Sequence, residues 1–240
     1  DTLNTVVTSS SQTVDVTYTV QDFNNRGLNT SFAAAYFPDL VMTDPETNSN
    51  IQVPPSVAVL GAFALNDSVG HPWFAPAGFS RGALKNMLFG TVKLSRDNLD
   101  DLYESDINPL VHFEGRPLVV WGQKTLLQAA TSLDRVNVRR LLIEVRRAVR
   151  TIANSLLFEP NREETLTRFS DLVNPVLQSI QELSGVDRYK VIIDTSTTTQ
   201  ADVENNTIRG KIFLQPTRTA EFISLDFVLS NAGSDAFDNV

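Results

Sequence analysis

The sequence contains no cysteine and only two histidines, His71 and His112, among its 240 residues. Disulfides, thiolate nucleophiles and cysteine-ligated zinc are therefore excluded. The two histidines lie 41 residues apart in different segments, and a metal site built on them would need carboxylates that nothing in the sequence positions. We predict no metal site and no cofactor.

Long apolar runs are missing as well. The longest, residues 57–65, is far too short to cross a bilayer. The N-terminal region is polar and rich in threonine, unlike the basic and then apolar pattern of a secretory signal. The sequence thus predicts no membrane insertion. It begins at Asp1 rather than at methionine, which we interpret as the start of a piece of a longer protein.

Positive charge is scarce, because 20 Lys and Arg stand against 28 Asp and Glu and the net charge is −8. This acidic balance argues against a general nucleic-acid binder, which is expected to be basic. The few cations are concentrated: residues 135–150 hold six arginines and one glutamate and carry a net charge of +5. Such segregation predicts a contact with an acidic protein surface, which other copies of the same chain can supply.

The same region has the pattern of one long amphipathic helix over residues 134–161. Its apolar residues recur at spacings of three and four, which buries one side of a helix. They are Val138, Leu141, Leu142, Val145, Val149, Ile152, Ala153 and Leu156. The arginines lie off this stripe, on a side that is either solvated or in contact with acidic protein. We predict the contact for Arg139, Arg140, Arg146 and Arg150.

Elsewhere the pattern predicts an α/β fold with a mixed β-sheet flanked by helices. Residues 1–30 have the pattern of a weak strand followed by a linker, and residues 32–42 that of a buried strand. A helix is predicted at 56–65, behind two prolines, and a short acidic helix after Ser95, which can cap it. A further strand is predicted at 116–121.

The last third of the chain predicts a second long helix and a C-terminal β-hairpin. Asn161 and Glu164 have the spacing of a capping box at the start of the helix, and Pro175 should kink or interrupt it. Strands are predicted at 189–194, 208–214 and 222–229, the last two joined by a turn around Pro216. In the last strand, apolar and polar residues alternate, so that one face points inward and the other is exposed to solvent. The inward set is Ile223, Leu225, Phe227 and Leu229, and the polar set is Ser224, Asp226 and Ser230.

One segment has the spacing of a catalytic motif. Residues 78–82 match the G-x-S-x-G nucleophile elbow of hydrolases around Ser80, with His112 downstream. Pro72 and Pro76 break the strand that an elbow needs in front of its serine. A turn is therefore the favoured interpretation, no catalytic residue is predicted, and a serine hydrolase stays an alternative beside a soluble protein-binding module.

Three acidic residues share one face of the short helix after Ser95. They are Asp97, Asp101 and Glu104. Such a face is either solvated or binds a basic partner or a divalent ion.

Several blocks of the sequence resemble contractile phage tail sheath proteins. They follow one another from about residue 31 to the C-terminus: WFAPAGFSRG at 73–82, INP at 107–109, GRPLVVWGQKTL at 115–126, RVNVRRLL at 135–142, FEPN at 158–161, and IFLQP followed by AEFISLDF near the end. The sheaths of giant phiKZ-like myoviruses are the finer group that we expect within this family.

The resemblance implies a structural role without enzyme activity. Sheath subunits form stacked hexameric rings around an inner tail tube, assemble in an extended state and contract to drive the tube through the host envelope. The implied partners are neighbouring sheath subunits and the tail tube protein, with no nucleic acid. The implied location is the virion tail, assembled in the host cytoplasm.

The resemblance also implies a domain plan. Residues 1–30 are expected to be a remnant of an upstream domain or linker, and residues 31–240 the C-terminal, tube-proximal α/β domain. Terminal arms in this family add strands to the sheets of neighbouring subunits. We assign such an arm to residues 231–240, with Asn231, Asp235, Phe237 and Asp238 as the strand donor. Because both arms are needed for the mesh, we expect the isolated chain to be a monomer.

We hypothesise a binding partner for each of the two charged faces. The predicted arginines meet acidic surface on a neighbouring subunit or on the tube, and Asp97, Asp101 and Glu104 form the opposite pole. Exposed charge pairs are individually weak, at about 0–1 kcal/mol each, but repetition over many subunits makes their sum large.

Overall fold

Three small β-sheets with helices packed around them form residues 12–194 and 196–221, the part of the chain that the computed structural model describes. The predicted mixed α/β class is confirmed. No helix in this part is both long and apolar enough to span a bilayer.

The first sheet is mixed. Strand β1 (Ala35–Phe37) pairs in parallel with β5 (Ile107–His112), and β5 pairs antiparallel with β6 (Leu118–Val120). Helix α2 (Pro55–Val69) covers it and buries Ala58, Val59 and Ala62. Both β5 and β6 are buried along almost their whole length, and the buried Asn108 of β5 donates hydrogen bonds to the Ala35 and Lys124 carbonyl oxygens.

The second sheet is antiparallel, with β2 (Leu40–Thr43) between β3 (Asn50–Val53) and β4 (Met87–Gly90). The prediction of one strand over 32–42 is wrong, because Pro38 separates β1 from β2 and the two belong to different sheets. Proline has no amide hydrogen to donate to a ladder, so it marks the point where the chain changes sheets.

The N-terminal region contains a helix, α1 (Gln12–Asn25), where a weak strand was predicted. Val16 is fully buried in a cluster with Phe37 and with Leu102 of α4 (Arg96–Glu104). The predicted cap of α4 is confirmed: the Ser95 hydroxyl accepts a hydrogen bond from the Asn98 amide, and the Asn98 side chain accepts one from the Ser95 amide.

The third sheet has two strands and packs against two long helices, and together they form what we call the third layer. Helices α5 (Val136–Ser155) and α6 (Glu163–Glu182) pack against antiparallel strands β7 (Val186–Ile192) and β8 (Lys211–Pro216). Leu141, Val145, Val149 and Ile152 of the predicted apolar stripe face this core, whereas Leu142 lines a groove on the surface. The buried residues of this core are Trp73, Leu141, Val145, Val173, Leu177, Ile180 and Val186.

Two details of α6 differ from the prediction. The residue before the helix is Arg162, which makes no side-chain cap, and the Asn161 amide instead donates to the Thr207 carbonyl oxygen at 3.1 Å. The predicted capping box is therefore wrong. The helix also continues without interruption past Pro175.

Strands β7 and β8 give the described part of the chain a C-terminal antiparallel strand pair. The described residues between β7 and β8 form turns and one short helix, α7 (Gln200–Glu204). The predicted strand 222–229 and the predicted arm 231–240 lie outside the described residues.

Three contacts tie the first half of the chain to the third layer. The Trp73 indole N–H donates to the Leu183 carbonyl oxygen at 3.0 Å, and the Asn137 amide donates to the Trp73 carbonyl oxygen at 3.3 Å. Arg140 on α5 forms an ion pair with Asp67 on α2 at 2.6 Å. These contacts anchor the two long helices to the first half of the chain.

Candidate subunit interface

Arg139 is mostly an internal residue, although the sequence placed it off the apolar stripe. Its guanidinium lies 4.0 Å from the Phe32 ring centroid, donates to the Ser31 carbonyl oxygen at 3.1 Å and also bonds the Ser31 hydroxyl. Its exposed fraction is only 9%. Burial lowers the pKa of Arg139, and the nearby positive charge of Arg146 lowers it further. The segment around Phe32 covers a side of α5 that the apolar spacing of the helix predicts to be exposed.

Arg140 is engaged inside the chain as well. One of its terminal nitrogens lies 2.7 and 2.6 Å from the two carboxylate oxygens of Asp67, and its guanidinium lies 4.8 Å from the Phe63 ring centroid. This arginine links α5 to α2 and is not free for another protein.

Arg146, Arg147 and Arg150 remain exposed and form what we call the arginine face. Arg147 has an ion pair with Glu144 of its own helix at 3.3 Å. Beside the three cations lies a shallow groove of about 280 Å³ with apolar walls, which include Phe32 and Ile143, 72% and 52% exposed. The face thus combines positive charge with apolar surface, a composition suited to an acidic protein partner.

The acidic residues of α4 are exposed at a distance from the arginine face. Asp97, Asp101 and Glu104 make no ion pair with any residue that the structure describes. Helix α4 meets the start of α5, where the Tyr103 hydroxyl accepts a hydrogen bond from Arg135 at 3.2 Å. Arg146 and Arg150 lie roughly 16–22 Å further along that helix at 1.5 Å per residue. The two charged faces do not neutralise each other within one chain.

The β7–β8 sheet has one buried face and one exposed face. Tyr189, Val191, Ile212 and Leu214 pack on the core of α5 and α6. On the opposite face lie Arg188, Lys190, Lys211 and Phe213, which we call the basic sheet face. Among the residues that the structure describes, neither outer edge of this sheet is paired with another strand. Its edges therefore have backbone donors and acceptors available to an added strand.

An apolar cleft of about 830 Å³ lies at one end of the same sheet. Its walls include Val149, Phe169, Val191 and Ile212, and Phe158 at its rim is fully exposed with a backbone φ of 70°. The cleft therefore adds partly exposed apolar surface next to the sheet.

The serine motif does not form a nucleophile elbow. Residues 78–81 make one short helical turn, α3 (Gly78–Arg81), that follows a loop rather than a strand. Ser80 is exposed and forms no hydrogen bond with His112 within residues 12–194 and 196–221. His71 stacks on Trp73, with ring centroids 4.6 Å apart. The geometry agrees with the turn interpretation.

A polar cluster that sequence reasoning missed holds the last described residues. Glu221 accepts hydrogen bonds from Tyr103 and Gln123 at 2.9 and 3.1 Å and forms an ion pair with Arg135 at 2.9 Å. Burial and Glu221 together raise the pKa of Tyr103 to about 12. No local pattern signals this cluster, because its members are up to 118 residues apart.

Comparisons with known families match both halves of the chain. A family model described as the phage tail sheath protein central domain matches residues 4–126, and one described as the phage tail sheath C-terminal domain matches residues 128–230. The predicted division at residue 30 and the predicted giant-phage origin stay predictions.

Individual relatives agree with the family models. The chain is 34% identical to the tail sheath protein of Vibrio phage KVP40, over 88% of this chain and 32% of that protein. It is 30% identical to the tail sheath protein of Enterobacteria phage T4, over 90% of this chain and 33% of that protein. The chain therefore spans about a third of the length of the curated relatives it matches.

Solved structures show the same fold. The sheath complex of PVC, an extracellular contractile injection system, in its contracted state superposes with a TM-score of 0.80 at 28% identity, covering 95% of this chain and 62% of that one. Together with the family models, this places the chain: it belongs to the phage tail sheath protein family.

Proposed function

We propose that this chain is the tube-proximal part of a sheath subunit that polymerises around a tail tube in an extended state and contracts to drive the tube through the host envelope. The observation that carries the proposal is the two-stranded β7–β8 sheet, whose outer edges have no strand partner among the described residues, in a chain of the tail sheath family. The subunit would assemble in the host cytoplasm and act in the virion tail. Its role is mechanical and involves no enzyme activity, nucleic acid or membrane insertion.

The open sheet is proposed to accept the arm of a neighbouring subunit. Strand addition uses main-chain hydrogen bonds, which tolerate sequence variation and survive rotation of the attached bodies. The arm is residues 231–240, with Asn231, Asp235, Phe237 and Asp238 as the donor. The apolar cleft beside the sheet offers an additional surface to an incoming strand.

The arginine face is proposed as a second contact, with acidic surface on the tube or on a neighbouring subunit. Of the four arginines predicted for it, Arg146 and Arg150 are exposed, with no ion pair to a described residue, while Arg139 and Arg140 are engaged inside the chain. Asp97, Asp101 and Glu104 provide the opposite pole for a neighbour's basic surface.

Electron microscopy of the longer sheath protein tests the proposal. The unchanged protein should form hollow striated tubes. Replacing residues 231–240 by a Gly/Ser segment of equal length should abolish them, because the added strand is lost while the chain length is kept. Normal tubes from that variant would contradict the arm assignment. The 240-residue chain by itself should sediment as a monomer.

A further inference from the structure

The five residues after β8, at positions 217–221, cross from the third layer to helix α4, and we call them the strap. Its first residue donates a side-chain hydrogen bond to Asp187 of β7 at 2.7 Å. Two and four residues later, Thr219 and Glu221 accept hydrogen bonds from the side chain of Gln123 at 2.7 and 3.1 Å. Contacts at every second residue are typical of an extended segment that lies with one side on a surface. The strap is therefore fastened to the rest of the chain along its length.

Glu221 closes the end of the strap. One of its carboxylate oxygens accepts a hydrogen bond from the Tyr103 hydroxyl at 2.9 Å, and the other pairs with the Arg135 guanidinium at 2.9 Å. Arg135 also donates to the Tyr103 hydroxyl at 3.2 Å, so the three side chains form a closed ring of contacts. Hydrogen bonds to an ionised group are stronger than those between neutral groups. Since the Glu221 side chain is only 22% exposed, it supplies the strongest hold on the strap.

The closed strap has two unfavourable features. Gln123 is 3% exposed and donates from its amide nitrogen to the strap, but its Oε1 has no hydrogen-bond partner among the residues that the structure describes. An unpaired buried acceptor destabilises the state in which it is buried. Arg135 also pairs with Asp134 at 3.3 Å, so that two carboxylates share one cation. The contacts that close the strap are thus partly offset, which allows it to open while the rest of the chain stays folded.

Opening the strap would change the surface next to α4. Residues 219–221 form one wall of a pocket of about 640 Å³, whose other walls include Phe113, Trp121 and Arg81. Without that wall, the buried Gln123 amide would be accessible to water. Opening would also add five residues to the length of chain that is free beyond β8, up to about 17 Å in extended form.

We propose that residues 217–221 are a releasable strap, held closed by Glu221, that sets where the chain leaves the body of the molecule. With the strap closed, the chain leaves beside α4, and with the strap open it leaves at the end of β8. The change in reach requires no rearrangement of the β7–β8 sheet. Its use in assembly rests on the proposed function, whereas the strap itself is a property of the single chain and can be tested without assembly.

Limited digestion with trypsin reports on the strap, because Arg218 lies in its middle. The backbone must open locally before it is cleaved, and the rate follows the open population when cleavage is slow. Mass spectrometry gives the ratio of cleavage after Arg218 to cleavage after Lys85, which lies in an exposed turn. Glu221→Gln should raise this ratio by about tenfold, because the hydrogen bonds at residue 221 lose their charge. Glu46→Gln, in the exposed turn between β2 and β3, is the matched control and should leave the ratio unchanged.

A second substitution has the opposite expected effect. Asp134→Asn removes the carboxylate that shares Arg135 with Glu221, so the strap should close more tightly and the ratio should fall by about threefold. A variant that only damages the fold cannot produce this result. Tyr103→Phe removes one hydroxyl and leaves the ion pair, so it should raise the ratio by less than Glu221→Gln does.

The results that would overturn the proposal are distinct. If Glu221→Gln and Glu46→Gln give the same ratio, Glu221 does not close the strap. If Glu221→Gln speeds both cleavages equally, residues 217–221 open only when the whole chain unfolds, and they are not a releasable strap. An unchanged or higher ratio for Asp134→Asn would contradict the shared-cation account of its release. If the longer sheath protein forms no striated tubes while all three ratios change as expected, the proposed function fails and the strap stands.

Discussion

Four arginines on one helix occupy three different environments. Arg139 is covered by Phe32, Arg140 is ion-paired with Asp67, and Arg146 and Arg150 are exposed. The sequence separates these residues from the apolar stripe by helical spacing, but it does not reveal that a segment 108 residues earlier lies over Arg139. The spacing of apolar residues predicts the core face of the helix. It does not predict which polar residues are buried by contacts with distant parts of the chain.

Replacing Arg139 should therefore affect stability. Arg139→Ala removes a cation–π contact and leaves the Ser31 carbonyl oxygen without its donor, and the free energy of unfolding should fall by about 1–2 kcal/mol. Arg147→Ala on the exposed side is the control and should change it by less than about 0.5 kcal/mol. Urea unfolding followed by circular dichroism measures both. Equal effects would show that Arg139 is a surface residue.

Burial and the neighbouring Glu221 both raise the pKa of Tyr103, so Glu221 should affect its titration. The folded pKa of Tyr103 is about 12, above the ordinary value of 10.0. The folded state therefore holds this proton more tightly, so the stabilisation is fully present below pH 10 and is lost as the pH rises through about 12. Glu221→Gln removes the negative charge and should lower the pKa of Tyr103 toward its ordinary value. Tyrosinate absorbance during alkaline titration measures the change, and an unchanged titration curve would disprove the coupling.

At the scale of elements, strongly periodic helices were predictable and pairings were not. Helix α5 follows from its apolar spacing, and the Ser95 cap of α4 follows from local chemistry. Helix α1 was mistaken for a strand because valine and threonine favour strands locally. The spacing of Val16, Val20 and Phe23, which pack together in one cluster, is the helical signal that was available. The partner of β8 lies beyond residues 193–210, and strand patterns do not encode which strand they meet.

Helix α6 should become more stable without its proline. Pro175 is exposed and cannot donate a hydrogen bond to the carbonyl of the preceding turn. Pro175→Ala supplies that donor without removing buried surface, and the free energy of unfolding should rise by roughly 1–3 kcal/mol. Ser179→Ala, one turn later on an exposed position, should change it by at most about 0.5 kcal/mol. Thermal unfolding of the three chains provides the comparison; a less stable P175A chain would mean that the proline contributes to packing.

At the scale of the whole molecule, resemblance identified the family where composition could not. An acidic α/β chain without cysteine is compatible with many functions. Only the series of sequence blocks that resemble sheath proteins, such as FEPN at 158–161, pointed to one family. The two separated charged faces and the open sheet are features of the assembled fold. The arginines and the acidic residues of α4 each belong to one local segment, but their separation on the surface and the lack of a strand partner on the described edges of the β7–β8 sheet depend on elements that are distant in sequence.

Assembly should depend on the arginine face and on ionic strength. In the longer sheath protein, Arg146→Glu with Arg150→Glu should reduce tube formation or shift the balance between extended and contracted states, because repulsion replaces attraction at every repeat. Wild-type assembly should weaken as salt rises, since exposed pairs are screened. Negative-stain microscopy and sedimentation across a salt series report both effects, with Lys85→Glu as an exposed control. If tube formation were unchanged by salt and by these substitutions, the arginine face would not contribute to assembly.

The position of Trp73 has a mechanical consequence. This residue belongs to the first half of the chain, yet its ring lies in the core of the third layer, bonded to the end of α6, while its carbonyl holds the start of α5. A protein transmits a force between two elements only if the structure that connects them does not bend. Because Trp73 contacts both the start of α5 and the end of α6, we expect a force applied along α5 to reach the β7–β8 sheet with little bending in between.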